Sequence, residues 1–212
     1  VLSQLDDLAS DDPVVRHTAR SESEEVLRSC WAATVMGYNA CRANLLQRRL
    51  HHSIREPFCV DELLTAVCWP PAKFIVQKPR TFCRPAGDRV LVETVLFNAT
   101  QNARLHGGDA PVQVSAAFSC HEEDCDLRLE VINVAGRNHA QLRALRVQDL
   151  LAADVDFASL GMGTAESTFL GLRDITLAAK AMEPPASVEL RVEEDCVRFV
   201  MVCTLKVASD EE

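Results

Sequence analysis

The sequence lacks any apolar run long enough to cross a membrane, because a spanning helix needs about 18 or more such residues in succession. Its first residues, VLSQ, supply neither the basic stretch nor the apolar stretch of an export signal. We therefore expect no membrane span in these 212 residues and a cytoplasmic location.

Clusters of basic residues are also scarce. The formal net charge is -9 at pH 7, and the basic groups are short ones such as Arg48-Arg49. A nucleic-acid backbone is bound through clustered lysines and arginines. This charge balance excludes a nucleic-acid partner.

Closely spaced cysteine pairs are absent, although the chain contains nine cysteines. Without a CxxC pair, these residues are typical of small core side chains in a reducing compartment, not of a disulfide framework. The segment from Cys120-His121 to Cys125 holds residue types that bind zinc. It also falls where two strands turn, and we favour a plain hairpin tip there.

A long helix is predicted in the first part of the chain. Ser10-Asp11-Asp12-Pro13 has the side chains of a helix start, and Ser21 with Glu24 has the spacing of a capping box. Mostly apolar residues then recur at spacings of four and three, which is typical of a coiled-coil or bundle seam. The seam residues are Leu27, Trp31, Thr34, Tyr38, Cys41 and Leu45. We expect a homodimer through this seam; the alternative is one amphipathic helix packed on its own domain.

The rest of the chain alternates helices with antiparallel strands. Apolar periodicity and glycine or proline punctuation define the elements. This order predicts an α+β fold, a two-layer sandwich with helices on one face of a mixed sheet. The predicted helices are 58–64, 88–106, 140–151 and 168–182, and the predicted strands are 73–76, 112–118, 127–133, 187–193 and 196–207.

Three asparagines fall on faces that are otherwise apolar. Asn98 and Asn102 share the inward face of the 88–106 helix, and period-two alternation puts Asn133 on the inward face of its strand. An unpartnered buried amide costs about 1–3 kcal/mol, so these side chains need hydrogen bonds from protein, water or ligand. They predict either a polar pocket or a structural network that satisfies itself.

Three motifs resemble those of sensor histidine kinases and related ATPases of the Bergerat fold. Residues 93–107, ETVLFNATQNARLHG, resemble the asparagine box of the family. Residues 129–136, LEVINVAG, resemble the strand and turn that present its adenine-recognising aspartate, and residues 167–172, STFLGL, resemble its glycine box. The resemblance implies a helical dimerisation or phosphotransfer-like segment at 1–55 and a histidine-kinase-like ATP-binding domain at 56–212.

The resemblance also implies roles for individual residues. Asn102 would offer its side-chain oxygen to a Mg²⁺ ion that bridges the phosphates of ATP, and Asn98 would line the same site. Arg104 or His106 would contact phosphate or adenine. Asn133 stands where the family has the aspartate that accepts from the adenine amino group.

The remaining implied contacts lie in the turn and loops around the nucleotide. Gly136 belongs to the turn that follows the 127–133 strand. Thr168 with Gly171, followed by Leu172, would form the loop beside the phosphates at the start of a helix. Residues 154–166 would be the lid over ATP.

The chain departs from the family pattern at several of these positions. Asn133 replaces the aspartate, Ala135 and Arg137 replace glycines after it, and two further glycines are replaced by Ser167 and Phe169. Larger side chains at such positions either clash with nucleotide or change the shape of the loop. Two functions are therefore predicted. One is a histidine kinase that transfers the γ-phosphate of Mg-ATP to a histidine in a two-component phosphorelay with a response-regulator-like partner; the other is a pseudokinase with weak or no ATP binding.

Three histidines precede the ATP-binding domain. His51 and His52 fall beside the domain entrance at Glu56-Pro57, and we expect neither to be the phosphoacceptor. His17 is the better-placed candidate, and an exposed histidine without such a role is the alternative. In a different ATPase of this fold, Glu93 would be the general base.

Overall fold

The computed structural model describes two compact units of the chain, Val1–Asn44 and Leu45–Glu212. The described residues are 12–20, 51–68, 71–80, 83–137, 139–144 and 170–208, together with 23, 26, 30, 37, 41 and 44–46.

The first unit begins with a short capped helix. Residues 13–20 are helical, and the Asp12 carboxylate accepts a hydrogen bond of 2.8 Å from the backbone N–H of Val14. This confirms the predicted helix start. Positions 23, 26, 30, 37, 41 and 44 are also helical. Most residues of the predicted seam, including Trp31 and Tyr38, lie outside the described residues, so self-association stays a prediction.

The second unit is built on a seven-stranded mixed sheet. The strand order is β1-β3-β7-β5-β4-β2, and β6 also pairs with β7. β2 and β4 run parallel, whereas the other pairs are antiparallel. The strands are β1 (Glu56–Pro57), β2 (Phe74–Gln77), β3 (Pro85–Gly87), β4 (Val112–His121), β5 (Asp124–Val134), β6 (Ser187–Val192) and β7 (Cys196–Val207).

Helices cover one face of this sheet. The helices of the second unit are α1 (Val60–Val67), α2 (Arg89–His106), α3 (His139–Ala144) and α4 (Leu170–Ala181). α2 contacts β4, β5, α1 and α4, so it is the centre of the helical layer. The core lies between the layers, where Leu91, Leu96, Leu127, Ile175 and Met201 are fully buried. The predicted two-layer α+β sandwich is therefore confirmed.

The opposite face of the sheet carries charged side chains. Arg198 donates hydrogen bonds to Glu130 at 2.7 Å and to Glu193 at 2.9 Å, and Arg191 donates to Glu189 at 2.6 Å. This face is solvated, as expected for a sheet that buries only one side.

The predicted elements that the structure describes in full are present within about three residues of their predicted bounds. The 88–106 helix, the hairpin of β4 and β5, and the hairpin of β6 and β7 are confirmed. The proline-rich stretch holds more strand than predicted, since β3 begins at Pro85. Proline is tolerated as the first residue of a strand, where its missing N–H breaks no ladder. Among the described helices, none is long and apolar enough to cross a membrane.

Candidate functional site

The start of α2 is fixed by one buried carboxylate. Asp88 caps the helix, with Oδ1 accepting from the Leu91 N–H at 3.1 Å. Its Oδ2 accepts from the Ile54 N–H at 3.2 Å and lies 2.7 Å from Nε2 of His51. Both contacts tie the chain that enters this unit to the N-terminus of α2. The sequence offered no signal for the His51 contact, because it joins residues far apart in the chain.

About three turns further along, α2 presents its two asparagines to the start of α4. The Nδ2 of Asn98 donates a hydrogen bond of 2.9 Å to the Thr94 carbonyl. A Cβ placed on Gly171 would meet both terminal atoms of Asn102 at 3.2 Å and Oδ1 of Asn98 at 3.3 Å. Only a residue without a side chain leaves these amides free of crowding. The predicted association of Asn98, Asn102 and Gly171 is therefore present in the fold.

The Asn102 side chain has no hydrogen bond to another described residue. Both Asn98 and Asn102 are half-buried, so solvent reaches them. A half-buried amide without a protein partner leaves its carbonyl oxygen and the two N–H groups of its NH₂ for water or a ligand. Amide oxygen is a ligand that Mg²⁺ accepts, usually beside water and phosphate oxygens. The donor set therefore fits the nucleotide-bound Mg²⁺ that the resemblance implies.

The third asparagine lies at the end of β5, close to the C-terminus of α2. Asn133 is buried, and its Nδ2 donates a hydrogen bond of 3.1 Å to the Val134 carbonyl. A Cβ on Gly107 would lie 2.8 Å from that Nδ2 and would overlap the Ala103 carbonyl oxygen. Gly107 is the C-cap of α2 and has an extended conformation with φ of -76°. Glycine is needed there because of close approach, not because of a left-handed backbone.

The turn after β5 packs directly on the end of α2. A Cβ on Gly136 would overlap the carbonyl oxygen of His106, and Gly108 N–H donates to the Val134 carbonyl at 3.1 Å. These contacts hold Asn133 beside the last turn of α2. Gly136 is therefore a residue that permits close packing, and the structure gives it no side-chain chemistry of its own.

A basic cavity of about 700 Å³ opens at this end of α2. Lys73, Arg104, His106 and Arg137 line it, together with the carboxylate of Asp109. Arg104 is exposed and donates a hydrogen bond of 2.8 Å to Gln101. Desolvation by burial lowers the pKa of His106, so its ring is neutral at pH 7. Arg104 and His106 were predicted from the sequence, whereas Lys73 was not, because it lies just before β2 and is distant from them in sequence.

Other predicted residues lie apart or outside the described residues. Glu93 is half-buried on α2, near the end opposite His106, and His17 is exposed on the first helix of the other unit. Leu172 lies in the first turn of α4, where its carbonyl accepts from the Thr176 hydroxyl at 3.1 Å. Thr168, the substituted positions Ser167 and Phe169, and the 154–166 lid are outside the described residues.

The described residues contain no group of three or more histidine, cysteine or acidic side chains arranged to hold a metal ion. Cys120 and Cys125 face each other across the β4–β5 hairpin, whose turn residue Glu122 has φ of 43°. The plain hairpin tip is therefore the better interpretation of that segment.

Comparison with known proteins identifies the fold. No protein-family model matches the sequence, and no curated protein matches it. Among solved structures, the histidine kinase AdeS of Acinetobacter baumannii superposes with a TM-score of 0.51 at 12% identity, over 98% of this chain and 93% of AdeS. Full-length ShkA, in complex with AMPPNP, gives a TM-score of 0.56 at 15% identity, over 91% of this chain and 40% of ShkA.

The catalytic domain of the histidine kinase ThkA, in a nucleotide-free form, gives a TM-score of 0.50 at 16% identity, over 72% of this chain and 95% of that domain. At these identities the likeness concerns the fold. This chain has the α+β fold of histidine kinase catalytic domains, as its motifs predicted.

Proposed function

We propose that this chain is a histidine-kinase-like signal-transduction module that binds Mg-ATP between α2 and the start of α4. The γ-phosphate of the bound ATP is then transferred to a histidine in a two-component phosphorelay. The observation that carries the proposal is the close approach of Gly171 to Asn98 and Asn102. The absence of a side chain at Gly171 leaves both half-buried amides uncrowded, so they stay available to a polar ligand beside the start of α4.

The asparagines would divide the work of holding the nucleotide. When bound, Mg-ATP supplies the transferable phosphoryl group together with a cation that neutralises its charge. Asn102 would offer its side-chain oxygen to that cation, while Asn98 is oriented by its hydrogen bond to the Thr94 carbonyl. Because both side chains come from one face of a rigid helix, the site is largely preorganised.

Base recognition would fall to the end of β5. The Nδ2 of Asn133 is engaged by the Val134 carbonyl, which directs Oδ1 away as the free acceptor. A neutral amide oxygen can accept from the adenine amino group, as the family's aspartate does. The neutral ring of His106 lies on the last turn of α2 and offers an uncharged surface beside the same place.

The basic cavity would provide the electrostatic attraction for phosphate. Lys73, Arg104 and Arg137 outnumber Asp109 around it, in a chain whose formal net charge is -9 at pH 7. A local cluster of positive charge on an acidic protein concentrates anions at one place on the surface. This supports an anionic ligand at this end of α2.

The phosphotransfer partners follow from the same proposal. His17 is exposed and stays the proposed phosphoacceptor, and a response-regulator-like domain would receive the phosphoryl group next. The seam from Leu27 to Leu45 would join two copies as a homodimer. Glu93 keeps a role as general base only if the chain is an ATPase of another kind.

A pseudokinase is the second candidate, and Asn133 favours it. The neutral amide replaces a charged acceptor, and charge-assisted hydrogen bonds are about twice as strong as neutral ones. The loss amounts to about 1–2 kcal/mol, or about ten-fold in ATP affinity. In this case the fold is retained as an interaction or phosphotransfer module.

A phosphotransfer assay separates the two functions. The full chain is incubated with Mg-ATP labelled at the γ-phosphate, and acid-labile, base-stable label on protein is measured. The kinase proposal predicts label that His17→Gln removes, with His121→Gln as the matched control that retains it. A chain that takes up no label from Mg-ATP but becomes labelled by a phosphorylated response-regulator domain would give a different result. That result would indicate the second candidate, in its form as a phosphotransfer module.

A further inference from the structure

Three cysteines come together beneath the β4–β5 hairpin, away from the nucleotide site. Cys120 in β4 and Cys125 in β5 are direct cross-strand partners. Residues directly opposite in an antiparallel pair place their Cβ atoms about 4.5–5.5 Å apart on one face of the sheet. The segment before β3 reaches this hairpin through the end of β7, where the Ala208 N–H donates to the Arg84 carbonyl and the Val207 N–H donates to the Glu123 carbonyl, each at 2.9 Å. Cys83 in that segment interacts with the thiols of Cys125 and Cys120. Cys203 of β7 lies on the same buried face beside Leu127.

These thiols differ in their exposure. Cys120 is exposed, Cys83 is half-buried, and Cys125 and Cys203 are buried. Burial, with hydrogen bonds to Cys125 and Cys120, raises the pKa of the Cys83 thiol to about 12. Burial also raises the pKa of Cys203 to about 12. Since a thiolate is the reactive form, the half-buried and buried members are slow to react with an oxidant by themselves.

We propose that this cluster is a peroxide-modification site, in which Cys120 is oxidised first and Cys83 then closes a disulfide with it. Cys120 is the member that an oxidant in solution reaches.

The chemistry balances with a hydroperoxide as oxidant. The Cys120 sulfur attacks the peroxide, an S–O bond forms, the O–O bond breaks, and the departing hydroxide leaves as water with the thiol proton. The Cys83 sulfur then attacks the Cys120 sulfenic acid, an S–S bond forms, the S–O bond breaks, and a second water leaves with the Cys83 proton. Two thiols are oxidised and one peroxide is reduced to two waters.

Cys83 is the resolving thiol because its backbone can adjust. A disulfide needs the two sulfurs at roughly 2 Å with a specific dihedral angle. Cys125 is held in β5, which pairs with β4 on one side and β7 on the other. Cys83 precedes β3 in an irregular segment, so it moves toward Cys120 without breaking the sheet.

Disulfide mapping tests the proposal on the reduced full chain. The chain is treated with an equimolar amount of hydrogen peroxide, alkylated, digested without reductant and examined by mass spectrometry. The expected product is a peptide pair joining Cys83 to Cys120, with the loss of two thiols. In Cys83→Ser, Cys120 should accumulate as sulfenic and then sulfinic acid. Cys59 at the start of α1 is the control site, because its thiol is exposed like that of Cys120. Cys59→Ser should leave the disulfide between Cys83 and Cys120 unchanged.

Several outcomes would overturn the proposal. One is oxidation of Cys120 no faster than that of Cys59, with no pair joining Cys83 to Cys120. A disulfide between Cys120 and Cys125 would show that the resolving thiol is wrong. Circular dichroism on each serine variant checks that the fold is retained, and the wild-type disulfide map stands whether or not a variant folds.

Discussion

Gly171 leaves no room for a side chain beside Asn102: an added methyl group would lie 3.2 Å from both Oδ1 and Nδ2 of that amide. Such a separation is tighter than most contacts of a real Cβ, so one of the two groups would have to move. The glycine at the start of α4 therefore packs closely against the asparagine side chains of α2.

Gly171→Ala should therefore weaken Mg-ATP binding without unfolding the protein. Crowding of a packed site typically costs about 1–3 kcal/mol. Here the added methyl group would displace the Asn98 and Asn102 amides, so we expect the affinity for Mg-ATP to fall about ten-fold or more. Alanine is favoured over glycine in a helix by about 1 kcal/mol, so the free energy of unfolding should change little. Calorimetric titration with Mg-ATP and urea unfolding measure the two effects.

Gly37→Ala is the matched control for this substitution. Gly37 is also helical, but a Cβ there meets nothing within 4 Å. This variant should bind Mg-ATP as the wild type does. Unchanged affinity in Gly171→Ala would show that the amides of Asn98 and Asn102 do not hold the nucleotide.

His106 should make the stability of the ATP-binding unit depend on pH. Desolvation lowers its pKa in the folded state from 6.5, so the unfolded chain binds the proton more readily. The free energy of unfolding is therefore highest when the pH is above the pKa of His106 in the unfolded chain. It decreases as the pH falls below that value, until His106 is also protonated in the folded protein. His106→Gln should flatten this dependence in urea unfolding between about pH 7.5 and pH 5.

Arg104→Gln is the control for the pH experiment, because an arginine does not titrate in this range. It should retain the wild-type dependence. Addition of inorganic phosphate should raise the pKa of His106 in an NMR titration, since an anion in the basic cavity favours the protonated ring. An equal slope in His106→Gln and the wild type would contradict the assignment.

The sequence predicted the elements that carry periodic or capping signals. α2 was found because Asp88 precedes a regular apolar face and glycines follow it, and the β4–β5 hairpin was found because its apolar residues alternate. β1 and β3 were missed because strands of two and three residues that contain proline have no period to detect.

The site was predicted in part for a related reason. Asn98 and Asn102 stand out on an apolar helix face, so their shared position could be read from the spacing alone. The contact between His51 and Asp88, and the approach of Gly107 to Asn133, depend on how distant segments pack. No local pattern encodes such distances.

His51 and His52 should not carry the phosphoryl group. The Nε2 atom of His51 lies 2.7 Å from Oδ2 of the buried Asp88 carboxylate, so a phosphoryl group on that nitrogen would have to displace this contact. Any acid-labile label from ATP should remain in His52→Gln and in His51→Gln. Loss of the label in His52→Gln, with nucleotide binding intact, would show that the junction histidine is the acceptor.

The chain should be a dimer through the seam from Leu27 to Leu45. An exposed stripe containing leucine, tryptophan and tyrosine on a helical arm would otherwise leave a large apolar patch in water. Sedimentation at tens of micromolar protein should give a dimer for the wild type and a monomer for Trp31→Glu. Leu105→Glu, at an exposed leucine of the other unit, is the matched control and should stay dimeric. A monomeric wild type would remove the dimerisation proposal.

Calorimetry with Mg-ATP on the wild type, Asn133→Asp and Asn102→Ala tests the central claim most directly. A nucleotide site at α2, β5 and α4 predicts that Asn133→Asp binds about ten-fold more tightly than the wild type, because a charged acceptor replaces a neutral one. Asn102→Ala should abolish binding, while its unfolding transition stays close to that of the wild type. Absence of binding in both the wild type and Asn133→Asp at millimolar ATP would contradict the account and leave the pseudokinase function in its place.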